Sequence, residues 1–224
     1  MIIKDWMTKD VITVDPEASM MRAAKLMKEK GIRRLPVVDD KGKVVGMLSD
    51  RDVKEASPSK ATTLDVHELY YLLSEIKVKN IMTPNPMTIR DSDTVLKCAA
   101  IMHDKKVSGL PVLDDNDRLV GIMTQNEVYR VLLSITGVYH GGVHIGLKLP
   151  DEKGSLKDAL DCLRSYKTRV ISILTSYDKV EEGFREVFIR IKDVDKATLN
   201  DLKQELTDKH GLTFLVRDSI NPIN

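Results

Sequence analysis

Residues 32–53 read IRRLPVVDDKGKVVGMLSDRDV, and residues 107–128 read VSGLPVLDDNDRLVGIMTQNEV. The two stretches of 22 residues align without a gap at an offset of 75. Eight positions are identical: Leu35/Leu110, Pro36/Pro111, Val37/Val112, Asp39/Asp114, Asp40/Asp115, Val45/Val120, Gly46/Gly121 and Val53/Val128. The offset continues upstream, where Met7-Thr8 matches Met82-Thr83 and Val14 matches Ile89. Such a repeat is one supersecondary unit written twice, and neither copy buries its apolar face alone. Two half-cores are therefore expected to complete each other.

Each copy patterns as strand, helix, strand, strand, helix. In the first, VITV (11–14) is a brief strand, and Ser19 caps a helix with Met20, Ala23, Ala24 and Met27 on one face. Gly31 ends that helix. LPVVDD and VVGML form a strand pair about KGK, and Ser49 opens a helix that Pro58 ends or interrupts. The second copy restarts at Val78, with Thr94 capping Val95, Ala99 and Met102, and a closing helix from Thr124 to about Ser134. Between the copies, TLDVHELYYLLSEIK (63–77) patterns as an amphipathic helix without a counterpart. His67 on it lacks a partner at metal spacing and reads as a packing or surface residue.

Glycines in HGGVHIG end the repeat signal. Beyond them, Ile145, Leu147 and Leu149 alternate as a strand, while Leu156, Ala159, Leu160 and Leu163 make one helical face. A strand at 170–177, another with Val187, Ile189 and Ile191, a helix with Leu199, Leu202 and Leu206, and LTFLV complete a βαββαβ order. That order packs two helices on one face of a four-stranded sheet. The predicted map is repeat one at 1–60, a linking helix at 61–77, repeat two at 78–136, a linker at 137–142 and a further domain at 143–217.

The balance of 35 basic and 34 acidic residues, net +1, offers no electrostatic footprint for nucleic acid or an anionic membrane. No apolar run suits a signal peptide or a membrane span. Cys98 and Cys162 stand far apart, outside metal spacing, so a reduced, cytoplasmic setting is expected. His140 and His144 are four apart, but Gly141-Gly142 breaks the helix that would align both rings, and no metal site is expected. Nucleophile elbow, Walker loop, zinc motif and redox CxxC are all missing from the sequence, so the chain is not expected to be an enzyme.

The duplicated unit resembles the CBS domain, carried by LPVVD and GMLSDRD, their counterparts LPVLD and GIMTQNE, and the paired Met-Thr openings. Together the copies resemble a CBS pair, or Bateman module. The βαββαβ segment is similar to an ACT domain, with PDEKGSL at the loop between first strand and first helix. The whole order resembles the acetoin-utilisation AcuB-like family. The implied fold class is α+β: two βαββα repeats followed by a ferredoxin-like ACT domain. The implied function is a homodimeric regulatory sensor. It would need no cofactor and would bind an adenine nucleotide or S-adenosylmethionine as regulatory ligand, with a regulated protein as possible partner. A structural oligomerising adaptor with vestigial sites is the alternative.

Ser49 and Asp52 sit where a strand meets a helix. A hydroxyl and free N–H groups there suit a phosphate, and an ionised Asp accepts from both ribose hydroxyls. The CBS resemblance implies these roles, although S-x-x-D also approximates a capping box. Arg33 and Arg34 either clamp phosphate oxygens or form a solvated pair. Val11, Ile12 and Thr13 would line the base pocket of this first site, or merely pack. The second site would comprise Thr124, Glu127, Met87, Thr88 and Ile89. There T-x-x-E is a full capping box, and the extra methylene of Glu127 displaces the carboxylate by about 1.5 Å. Ser108-Gly109 replace the arginines, so two unequal sites are expected. In PDEKGSL, Asp151, Gly154 and Ser155 are the candidate effector residues. Gly154 would admit a ligand to the backbone or serve a turn, and Lys153 stands where the family has proline.

Overall fold

The structure is a computed structural model that describes residues 1–57 and 74–218. Most of the helix expected between the repeats, with His67, lies outside the described residues. The chain divides into two compact units, Met1–Val131 and Leu132–Asn224.

In the first unit, α1 (Met20–Lys30) begins at Ser19, whose hydroxyl accepts from Arg22 N at 3.2 Å, and ends at left-handed Gly31. β1 (Arg34–Val38) and β2 (Val44–Ser49) form an antiparallel pair, followed by α2 (Asp50–Ala56). VITV contributes only a single bridge, Val14 to Val37, instead of a full strand. The second copy follows the same plan: α3 (Val78–Ile81), β3 (Thr83–Pro84), β4 (Ile89–Arg90), α4 (Val95–Lys105), β5 (Gly109–Leu113), β6 (Leu119–Thr124) and α5 (Gln125–Thr136). Leu35, Val37 and Leu48 are fully buried with Ala23 and Val78, and Leu110, Val112 and Met123 are buried at equivalent positions of copy two.

The copies exchange their openings. Ile3 N and Lys4 N donate to Asp93 O and Asp91 O of the second copy, at 2.9 and 3.0 Å. At the equivalent positions, Val78 N and Lys79 N donate to Ala18 O and Pro16 O of the first, at 2.9 and 3.0 Å. Thr8 bridges Ile122 of β6, and Thr83 pairs with Met47 of β2. Both repeat glycines receive the exchanged methionine. A Cβ on Gly46 would lie 2.2 Å from Met82 Sδ, and one on Gly121 would lie 2.3 Å from Met7 Sδ. The spans 1–60 and 78–136 are therefore not self-contained, because each sheet is finished by the other copy.

In the second unit, β7 (Val143–Pro150), α6 (Ser155–Ser165), β8 (Val170–Ser176), β9 (Phe184–Ile191), α7 (Lys196–Lys209) and β10 (Leu212–Arg217) give the expected βαββαβ order. The sheet runs β10-β7-β9-β8, antiparallel throughout, which is ferredoxin-like topology. Val143, Ile145, Leu147, Val187, Ile189 and Ile191 are buried against Ala159, Leu163, Leu202 and Leu206. The boundary between units falls within α5, not at the glycines. Buried Arg190 on β9 accounts for this: its Nε donates to Thr136 O at 3.1 Å and its Nη1 to Gly141 O at 3.3 Å. Ser172 Oγ also donates to Thr136 O, at 2.8 Å. The end of α5 and the linker are thus tied into the sheet.

Candidate functional site

Two cavities of the first unit take residues from both copies. The first, about 410 Å³, joins Ser49, Asp52 and Arg34 to Thr83, Met87 and Lys106. The second, about 520 Å³, joins Thr124 and Glu127 to Thr8, Arg33 and Arg34. Under the offset of 75, Thr83 corresponds to Thr8, Ser49 to Thr124 and Asp52 to Glu127. The cavities are thus two editions of one inherited site.

Both acidic positions act as helix caps. Asp52 Oδ2 accepts from Ser49 N and Ser49 Oγ, each at 2.7 Å, while Ser49 Oγ accepts from Asp52 N at 3.3 Å. The capping box that the sequence allowed is therefore formed. Glu127 Oε2 likewise accepts from Thr124 N at 2.9 Å and from the Thr124 hydroxyl. Its other oxygen, Oε1, accepts from Thr8 Oγ1 at 3.3 Å. Among the described residues, no such bond joins Asp52 to Thr83.

The structure regroups the expected residues. Arg33 lines the second cavity, not the first, beside Ile122 and Thr124 of β6. Arg34 lines both cavities. Its guanidinium donates to Ser108 Oγ, and a Cβ on Gly109 would lie 2.8 Å from Arg34 Cδ. Positions 34 and 109 are equivalent under the offset and face each other, so the glycine leaves room for the arginine. Burial pushes the Arg34 pKa down, Asp50 opposes this, and neighbouring Arg33 and Arg51 add to it. Met87, expected in the second site, lines the first, carried there by the exchanged opening. Val11 and Thr13 line a separate cavity with Lys41 and Arg118, and Ile12 packs against the first-copy core. Thr88 is exposed and Ile89 is buried in β4, and neither lines the cavity of Thr124 and Glu127. Lys106 was missed by sequence reading; its position just before a strand, equivalent to Gly31 before Ile32, was the available signal.

In the second unit, left-handed Gly154 precedes α6 without a side-chain cap, and no atom lies within 4 Å of a built Cβ. Ser155 Oγ donates to Pro150 O at 2.7 Å and accepts from Arg185 Nη2 at 3.2 Å. Asp151 Oδ1 lies 3.7 Å from Arg185 Nη1 and accepts from Tyr177 Oη at 3.4 Å. His140 closes a short turn (Val138–His140), whereas His144 belongs to β7, its ring packed on Phe188 and Phe214. Among the described residues, no group of three or more metal-ligating side chains is assembled and no helix is long and apolar enough to cross a membrane.

The CBS domain family model matches residues 3–59 and 78–134. A CBS domain-containing protein of Dictyostelium discoideum is 34% identical over 134 residues, covering 60% of this chain and 92% of that protein. The solved structure of CBSX2 in complex with AMP, a protein of Arabidopsis thaliana, is 34% identical, with TM-score 0.50, covering 60% of this chain and 98% of that one. A structure from Vibrio cholerae assigned to acetoin utilization (AcuB) is 25% identical, with TM-score 0.51, covering 62% and 94%. The chain also matches longer curated enzymes, of whose length it spans only 23% to 24%.

Proposed function

Because the chain belongs to the CBS-domain family, we propose that its first unit is a regulatory sensor for an adenosine-containing ligand: AMP, ADP, ATP or S-adenosylmethionine. The observation that carries this reading is the cavity in which Ser49 and Asp52 meet Arg34, Arg51 and Lys106. Three cations there suit a phosphate. Oδ2 of Asp52 is committed to Ser49, which leaves Oδ1 for ribose hydroxyls. Met87, Pro86 and Leu110 offer an apolar face to the base. The AMP complex of CBSX2 supports the choice of ligand class.

The second unit acts in this reading as an ACT-like domain that dimerises or takes a small effector at Asp151, Gly154 and Ser155. Its ferredoxin-like topology supports that assignment only as far as fold goes. The sensor works in the cytoplasm, reports to a protein partner rather than catalysing a reaction, and serves acetoin utilisation. The likeness to the Vibrio cholerae structure supports this last point. The bond between Thr8 and Glu127 favours a vestigial role for the second cavity alone.

A thermal-unfolding screen of the full chain against AMP, ADP, ATP, S-adenosylmethionine, NADH and amino acids tests the reading. A ligand at 100 times its dissociation constant adds about 2.7 kcal/mol. If no adenosine compound shifts the transition, the sensor assignment is wrong.

A further inference from the structure

A third cavity of the first unit, about 410 Å³, lies apart from both sites. Lys9, Lys41 and Arg118 line it together with Val11 and Thr13. The lining holds three cations and no carboxylate in a chain whose net charge is only +1. Two acids of the flanking turns, Asp39 and Asp114, accept from their own backbone. Asp39 accepts from Lys41 N at 3.1 Å and Lys43 N at 2.8 Å, closing its own turn. Asp114 accepts from Asn116 N and Arg118 N, both at 2.9 Å. The hydrogen bond from the Arg118 backbone N–H, with smaller help from that of Asn116 and from the Arg118 charge, holds the Asp114 carboxyl below its usual range, yet Asp114 does not line the cavity.

The duplication supplies an internal control. Under the offset of 75, Lys9 corresponds to Pro84, Lys41 to Asn116, Gly42 to Asp117 and Arg118 to Lys43. The three cations of one side thus become Lys43 alone on the other, beside Asp117, which is paired with Arg90 at 2.5 Å. The shared backbone does not require this positive charge, since the other copy builds the same hairpin without it.

We propose that Lys9, Lys41 and Arg118 form a site for linked phosphates, either free pyrophosphate or the phosphate chain of a nucleotide. Two or more adjacent anionic groups are what three cations lining one cavity can neutralise, with Arg118 able to grip oxygens in a fork and the lysines acting as point charges. The site is independent of the adenosine reading, because none of its lining residues lines the cavity of Ser49 and Asp52.

Titration calorimetry of the full chain at low ionic strength, with sodium pyrophosphate and separately with ATP, tests the proposal. The double variant Lys41→Gln/Arg118→Gln should weaken pyrophosphate binding at least tenfold, with melting temperature and AMP response unchanged. Lys43→Gln on the opposite side should leave pyrophosphate affinity as it was. ATP weakening in step would assign the nucleotide's phosphate chain, and ATP unaffected would assign the free anion. Absence of pyrophosphate binding to the unaltered chain, or an undiminished affinity in the double variant, would overturn the site.

Discussion

Glu127 Oε1 accepts a hydrogen bond from Thr8 Oγ1 at 3.3 Å, across the two copies. The corresponding pair, Asp52 and Thr83, lines the first cavity without such a bond. One methylene separates the two cases. It carries the second carboxylate far enough to cap its helix with one oxygen and latch the opposite opening with the other. The first carboxylate caps its helix and makes no such bond to Thr83.

Stoichiometry tests this asymmetry. The unaltered chain is expected to take one AMP, and Glu127→Asp, which shortens the latch, should move the number toward two. Calorimetric titration reads it directly. An unchanged number in a fully folded variant would show that the latch does not control occupancy.

Asp52→Ala separates cap from ligand. Loss of the capping box should cost about 1 kcal/mol in the ligand-free chain. AMP affinity should fall more than tenfold, and by more than in Glu127→Ala. Urea melts with and without AMP distinguish the two effects. The reverse ranking would place the principal site at Glu127.

Gly46→Ala puts a methyl where Met82 Sδ lies 2.2 Å away. Such overpacking should cost about 1–3 kcal/mol. Met82→Ala alone should also destabilise, but the double variant should be more stable than the two costs added together. A strictly additive cycle would argue that the exchanged opening does not press on this glycine.

Burial pushes the His144 imidazole below its usual pKa, the Arg190 cation adds to the shift, and Asp218 opposes it. In the unfolded chain the same histidine titrates near its ordinary value of 6.5. Between the two values the unfolded state binds more protons, so stability falls as pH drops below about 6.5. Melting curves from pH 7.5 to 5 should show this decline, and His144→Phe, which keeps the ring packing on Phe214, should flatten it. An unaltered pH profile in that variant would exclude His144 as the source.

Much of the fold was legible because it is local. Hydroxyl caps at Ser19 and Thr94, a glycine at the end of α1 and the alternating apolar residues of β7 and β9 each act within a few residues of chain. Ser49 and Asp52 stood out for the same reason, since strand end and helix start are adjacent. Val11, Ile12 and Thr13 were grouped with them on the CBS resemblance, which puts that strand at the base pocket. The exchange of openings instead brings Met87 of the other copy to the cavity, which Lys106, at the end of α4, also lines. That exchange leaves no local mark: the repeat has the same letters whichever partner a Met-Thr opening chooses.

The sequence alone determined that one unit was duplicated, which elements each copy forms, and that positions 33, 34 and 52 had diverged from 108, 109 and 127. Only the tertiary structure decided what those differences meet. Arg34 lies over Gly109, and Glu127 reaches Thr8. Caps and alternation are settled by neighbours along the chain. A cavity between two copies is settled by contacts some 75 residues apart, where equivalent positions face each other and only one can hold the larger side chain.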